Sequence, residues 1–71
     1  MNTKLKNKRE EKGLMQSEIA YQAKVSLRAY QYYENGERVP DVLTAILIAG
    51  ALNSTVEELF NATSLEYHKG K

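Results

Sequence analysis

Arg28, Gln31 and Tyr32 stand within five positions of one another in the stretch LRAYQYYENG. At about 100° per residue on a helix they project from one side. A guanidinium fork, an amide and an aromatic ring are groups that meet phosphate oxygens and base edges. Tyr30 and Tyr33 fall about 60° apart on the opposite side, with Ser26, where rings pack into a core and need partners for their hydroxyls. Other chemistries have little to draw on. The chain has no cysteine and one histidine, His68, close to its end. It holds no nucleophile–base arrangement, no metal-ligand spacing and no phosphate-cradling glycine loop. Glu10-Glu11 and Glu57-Glu58 are adjacent pairs on helices, which makes them solvated surface. Neither an enzyme nor a cofactor is expected, and no small-molecule ligand is evident.

The elements that must position this polar face come from a short chain. Its 71 residues allow one domain, and a chain of that size buries only about 60% of its unfolded surface. Without cysteine, neither disulfides nor thiolate metal sites can supplement the core. The start, MNTKLKNKRE, lacks the apolar run of a signal peptide, and no apolar stretch is long enough to span a bilayer. A cytoplasmic protein without a membrane is the expectation, and Asn61-Ala62-Thr63 is read as a chance match to the glycosylation pattern. Net charge is only +1, but residues 1–38 carry eight Lys/Arg against five Glu, whereas residues 39–71 carry two Lys against four acids. A basic half joined to an acidic half points one side of the molecule toward an anionic partner.

Cap and breaker residues divide the chain into five short helices, all-α, with no segment that alternates long enough to be a strand. The first runs from Thr3 to Lys12, capped by Thr3 or Asn2, with Gly13 as a left-handed stop and Leu14 as its apolar contact. The second runs from Gln16 to Ala23 with Ile19, Ala20 and Ala23 inward. Ser26 caps a third, Leu27 to about Glu34, closed by Asn35-Gly36. Asp41 caps a fourth, Val42 to about Leu52. TVEE is a capping box, Thr55 with Glu58, that opens a brief fifth helix through Phe60. This places a helical domain at residues 1–61 and a flexible tail at 62–71.

A short helix, a turn of about four residues and a capped second helix with a polar outward face is the helix-turn-helix pattern. The ordered set Arg9, Gly13-Leu14, Gln16, Ile19-Ala20, Val25-Ser26, Glu34-Asn35-Gly36 and Pro40, trailing through Ala49, Leu52 and Leu59-Phe60, resembles the XRE, or Cro/C1-type, lambda repressor-like domain of bacterial and phage regulators. The likeness covers roughly residues 4–60. It implies a regulator of transcription, most simply a repressor, that binds double-stranded DNA. It also implies that Gln16 meets the DNA backbone or a base, and that Ser26, Leu27, Arg28 and Tyr32 lie where the recognition helix meets DNA. Arg28 suits guanine O6 and N7, and Leu27 suits a thymine methyl. Lys6, Asn35 and Arg38 are candidate phosphate contacts. Arg9 and Glu34 match a pair that forms an internal salt bridge in the family. The chain departs from the pattern at Met15, where a capping side chain is usual, at Lys24, where glycine is common, and in the leucine and tyrosine of its recognition surface.

The fourth helix, DVLTAILIAGAL, is apolar nearly all round, unlike an ordinary surface helix. Val42, Ala45, Ile46, Ala49 and Leu52 make one stripe, assigned to the core. Leu43, Leu47 and Gly50 make a second, read as a homodimer interface joined by Phe60 and Leu65. A two-fold dimer implies a palindromic site. The competing reading is an antitoxin-like or anti-regulatory protein-interaction module on the same scaffold.

Overall fold

The computed structural model describes residues 2–60. Among them are five helices and no strand: α1 (Thr3–Glu11), α2 (Gln16–Ala23), α3 (Leu27–Asn35), α4 (Val42–Ala51) and α5 (Val56–Leu59). None is long and apolar enough to cross a membrane. Residues 61–71, with Leu65, His68 and the proposed tail, lie outside the described residues.

Four of the five helices start on a side chain that satisfies backbone donors left open by the first turn. Asn2 accepts from Leu5 N–H, Ser26 from Ala29 N–H, Asp41 from Thr44 N–H and Thr55 from Glu58 N–H, all within 2.8–3.1 Å. Asn2 also donates its amide to the Leu59 carbonyl at 2.7 Å and its backbone N–H to the Glu34 carbonyl at 2.9 Å. It thus ties the start of α1 to α5 and to the end of α3. Met15 offers α2 no side-chain cap. The carboxylate of Glu18 compensates by accepting from Met15 N–H at 2.7 Å. The capping box expected at α5 forms only in part. Thr55 caps, but the Glu58 carboxylate is taken by the Ser54 hydroxyl at 2.6 Å instead of reaching back to Thr55 N–H. That hydrogen bond, first among the causes, holds the Glu58 carboxyl below its ordinary pKa.

Left-handed residues end α2 and α3. Gly36, at φ 76°, closes α3 at no steric cost. Lys24 closes α2 at φ 61°, ψ 38°, its N–H turned back to the carbonyls of Ala20 and Tyr21. A side chain in that region crowds the neighbouring carbonyl. Lys24→Gly relieves this, less the extra freedom glycine gives the unfolded chain. The expected gain is roughly 0.5–1 kcal/mol, read as a higher urea midpoint at unchanged slope.

The core lies where α2 packs against both α3 and α4, with α1 and α5 closing the far side. Leu5, Ile19, Tyr30, Ala45, Ile48 and Leu52 are fully buried, and Ala20, Ala23, Ala49 and Leu59 nearly so. Two assignments on α4 need correction. Val42 and Ile46, placed in the core from periodicity, are 61% and 52% exposed, and Ile48 takes the buried position. On a helix apolar all round, hydrophobicity does not select a face. The neighbour does, and α2 meets the row Ala45, Ile48, Ala49 and Leu52 at i, i+3, i+4 and i+7 spacing. Phe60, assigned to a dimer surface, is 3% exposed within the domain's own core. Leu47, assigned to the same surface, is half-buried against that core.

Candidate nucleic-acid interface

One side of α3 is anchored in the domain by a charged cluster. Tyr30 is fully buried and Glu34 is 3% exposed, one helical turn on. The Tyr30 hydroxyl donates to Glu34 Oε2 at 2.7 Å. Arg9 of α1 donates from Nε to the same oxygen at 2.6 Å and from Nη2 to Oε1 at 3.3 Å, a fork on a carboxylate. Its third nitrogen donates to the Leu14 carbonyl at 2.9 Å. Gln16, at the first position of α2, donates its amide to Glu34 Oε1 at 3.0 Å. One carboxylate therefore joins α1, the start of α2 and the end of α3.

The charge states follow from this arrangement. Burial pushes the Glu34 carboxyl up, but the donors from Arg9, Tyr30 and Gln16 together outweigh it, and the group sits below the ordinary carboxylate pKa. Burial, then the hydrogen bond to Glu34, pushes the Tyr30 phenol far above its usual range. The bond to Glu34 likewise raises Arg9. All three hold their neutral-pH charge states firmly, so the cluster is a fixed strut.

The N-terminal end of α3 faces solvent. Ser26, Leu27 and Arg28 are exposed at its start, Leu27 by 44%. The Ser26 oxygen caps the helix, and its hydroxyl proton stays available to an outside acceptor. Gln31 is half-buried and donates to Gln16 Oε1 at 3.2 Å. Gln16 is thereby held at both ends of its amide, by Glu34 and by Gln31, and acts as a brace across the turn. Its backbone N–H, in the first turn of α2, still points out of the helix end. Gln31, grouped with Arg28 and Tyr32 from helical spacing, turns inward to that brace.

Tyr32 is half-buried, and the guanidinium carbon of Arg38 lies 4.5 Å from its ring centroid. Sequence spacing placed Tyr32 beside Arg28 and Gln31 and gave no sign of Arg38, because six positions and a chain reversal separate the two. The signal was local: Gly36 in the left-handed region folds the chain back over the last turn of α3. The Tyr32 carbonyl then accepts from Glu37 N–H at 2.9 Å and from Arg38 N–H at 3.3 Å. Asn35 is exposed at the end of α3, and Lys6 is half-buried on α1. The structure thus gathers Ser26, Leu27, Arg28, Tyr32, Asn35 and Arg38 on or beside α3.

Among the described residues, no group of three or more His, Cys, Asp or Glu side chains could hold a metal ion. The exposed apolar residues that remain are concentrated on α4 and the turn before it: Val39, Val42, Leu43 and Ile46, each more than half exposed. Gly50, further along α4, is exposed, and among the described residues nothing beyond its own neighbours and its helix backbone lies within 4 Å of where a Cβ would stand.

A family model described as helix-turn-helix matches residues 5–59, well over half of the chain and all of α2 and α3. No curated protein matches the chain.

Proposed function

Because this chain belongs to the XRE-type, Cro/C1-like helix-turn-helix family, we propose that it is a repressor that binds a palindromic operator in double-stranded DNA as a homodimer, in the cytoplasm, with α3 in the major groove. The family is a DNA-binding, non-enzymatic domain type. The observation that carries the reading is that α3 is anchored along one side and open at its N-terminal end. Tyr30 and Glu34 lock one side into the domain, while Ser26, Leu27 and Arg28 stand exposed at the N-terminal end that enters a groove first. Arg28 then reads guanine and Leu27 a thymine methyl. Ser26, Asn35, Lys6 and the Gln16 backbone N–H serve the phosphates. The Gln16 side chain, engaged at both ends, positions α3 against α2.

For the dimer, the stripe Val39, Val42, Leu43 and Ile46 replaces the surface drawn from sequence. Leu43 stays in it, Gly50 leaves open space for a second backbone beside it, Leu47 is half-buried against the core and Phe60 belongs to the core. Two-fold pairing places the recognition helices about 34 Å apart, one turn of duplex. The same stripe also supports the second reading, a module that binds a protein partner.

One set of measurements separates the two. A duplex recovered from a random pool is titrated with the protein across salt concentrations. Log K falls with log salt at about −0.9 per phosphate contact, and Arg28→Ala relaxes selection at one base pair by about 1–3 kcal/mol. Wild type is expected to show a concentration-dependent mass by ultracentrifugation, and Leu43→Asp to abolish it. Absence of any saturable complex at low salt would replace the regulator with the protein-partner module.

A further inference from the structure

We propose that Tyr32 and Arg38 form a single phosphate clamp, in which the tyrosine ring is the platform and the arginine is the group that touches DNA. The inference rests on the regulator reading above and assigns Tyr32 a different task from reading a base. A guanidinium laid on a ring uses its flat face for the stack and leaves its edge donors in the plane, aimed outward. Those edge donors match two phosphate oxygens at once. The separation of 4.5 Å is well inside the reach of a cation–ring attraction.

The backbone pre-sets this arrangement before any DNA arrives. The N–H groups of Glu37 and Arg38 converge with that of Gly36 on the Tyr32 carbonyl, and Gly36 supplies the left-handed residue that the reversal needs. Arg38 itself is exposed, and among the described residues no carboxylate lies within ion-pair distance of it. A free arginine loses considerable rotamer freedom when it grips a phosphate. Here the ring has removed part of that freedom in advance, which is how pre-organisation raises affinity. The clamp sits beside the end of α3 opposite Ser26 and Arg28. Base reading at one end and phosphate grip at the other fix both the position and the tilt of the helix in a groove.

The test compares Tyr32→Phe, Tyr32→Leu, Arg38→Gln and the double variant Tyr32→Leu/Arg38→Gln. Each is titrated against the pool-selected duplex, its single-base variants and a scrambled duplex. A clamp makes Arg38→Gln and Tyr32→Leu weaken all three kinds of duplex together, by about fivefold per protomer near physiological salt, with the salt slope shallower by about 0.9 per protomer for Arg38→Gln. The double variant falls no further than Arg38→Gln, and Tyr32→Phe, which keeps the ring, binds like wild type. In the free protein, the Arg38 side-chain protons carry a ring-current shift in wild type and Tyr32→Phe that disappears in Tyr32→Leu. Circular dichroism confirms that each variant is folded, and Arg38→Gln, at an exposed position, supplies the salt-slope arm independently of the tyrosine.

The clamp is overturned if Tyr32→Phe loses as much as Tyr32→Leu, if Tyr32→Leu relaxes one base pair at an unchanged salt slope, or if the ring-current shift is missing. A wild type that binds no duplex while showing that shift sinks the regulator reading and leaves the stack itself standing.

Discussion

Tyr30→Ala is expected to unfold the domain, and Tyr30→Phe is expected to weaken it while leaving it folded. Tyr30 is the largest fully buried side chain, at the centre of the side of α3 that meets the core. Truncating a buried aromatic to alanine costs about 3–5 kcal/mol, because the cavity cannot collapse in a packed interior. A domain this small rarely has more than about 3–5 kcal/mol in total. The alanine variant therefore loses its helical circular dichroism at 25 °C, or retains it only at low temperature or in a stabilising osmolyte. The phenylalanine variant keeps the ring and removes one donor from Glu34. Its cost is about 1–3 kcal/mol, that of a buried polar atom deprived of one partner, read as a lower urea midpoint at constant slope. A folded, cooperative Tyr30→Ala at 37 °C would mean that α3 is held mainly by something other than this ring.

The contrast between Tyr30 and Tyr32 shows what could be read from sequence. Periodicity separated the inward ring from the outward one, because a regular helix makes angular position computable from spacing alone. The caps at Ser26, Asp41 and Thr55 were legible for the same reason: each acts within three residues of itself. The bounds of α2 and its buried Ile19, Ala20 and Ala23 followed from pattern as well. Where the chain reverses, that arithmetic stops. Nothing in the spacing of Tyr32 and Arg38 tells that a left-handed Gly36 brings the guanidinium onto the ring. The phase of α4 was hidden for a different reason. Its residues are apolar on every side, and only packing against α2 decides that Ile48 goes in and Ile46 stays out. At Glu34 the family resemblance supplied Arg9 as partner. The i, i+4 relation of Tyr30 to Glu34 was available in the sequence, but a hydroxyl is not assigned to a carboxylate until both are known to be buried. The contact of Gln16 with that carboxylate, and of Gln31 with Gln16, are tertiary facts that spacing does not show.

That carboxylate carries the second large effect. Glu34→Gln is expected to destabilise by roughly 3–5 kcal/mol, the cost of leaving a buried charge without its partner. The amide keeps the shape of the side chain, but it replaces one acceptor oxygen by an N–H₂, which then faces the donors of Arg9 and Tyr30 or those of Arg9 and Gln16. Replacing Arg9 by Met and Glu34 by Leu together is expected to cost less than the two single changes added, because the double variant buries no unpaired charge. The pH dependence of the native protein follows from the same contacts. The folded Glu34 carboxyl sits below its ordinary pKa, so in the range below about 4.3 the unfolded chain binds the extra proton and stability falls as pH is lowered. The folded Tyr30 phenol sits above its ordinary pKa. From about pH 10 upward the unfolded tyrosine gives up a proton that the folded one retains, and stability falls as pH rises. Urea midpoints across pH should therefore form a plateau bounded by a carboxylate on the acid side and a phenol on the alkaline side. Tyr30→Phe should flatten the alkaline limb, and Glu34→Gln should flatten the acid one. An acid limb of undiminished depth in a folded Glu34→Gln would place the acid sensitivity in the surface carboxylates instead of Glu34.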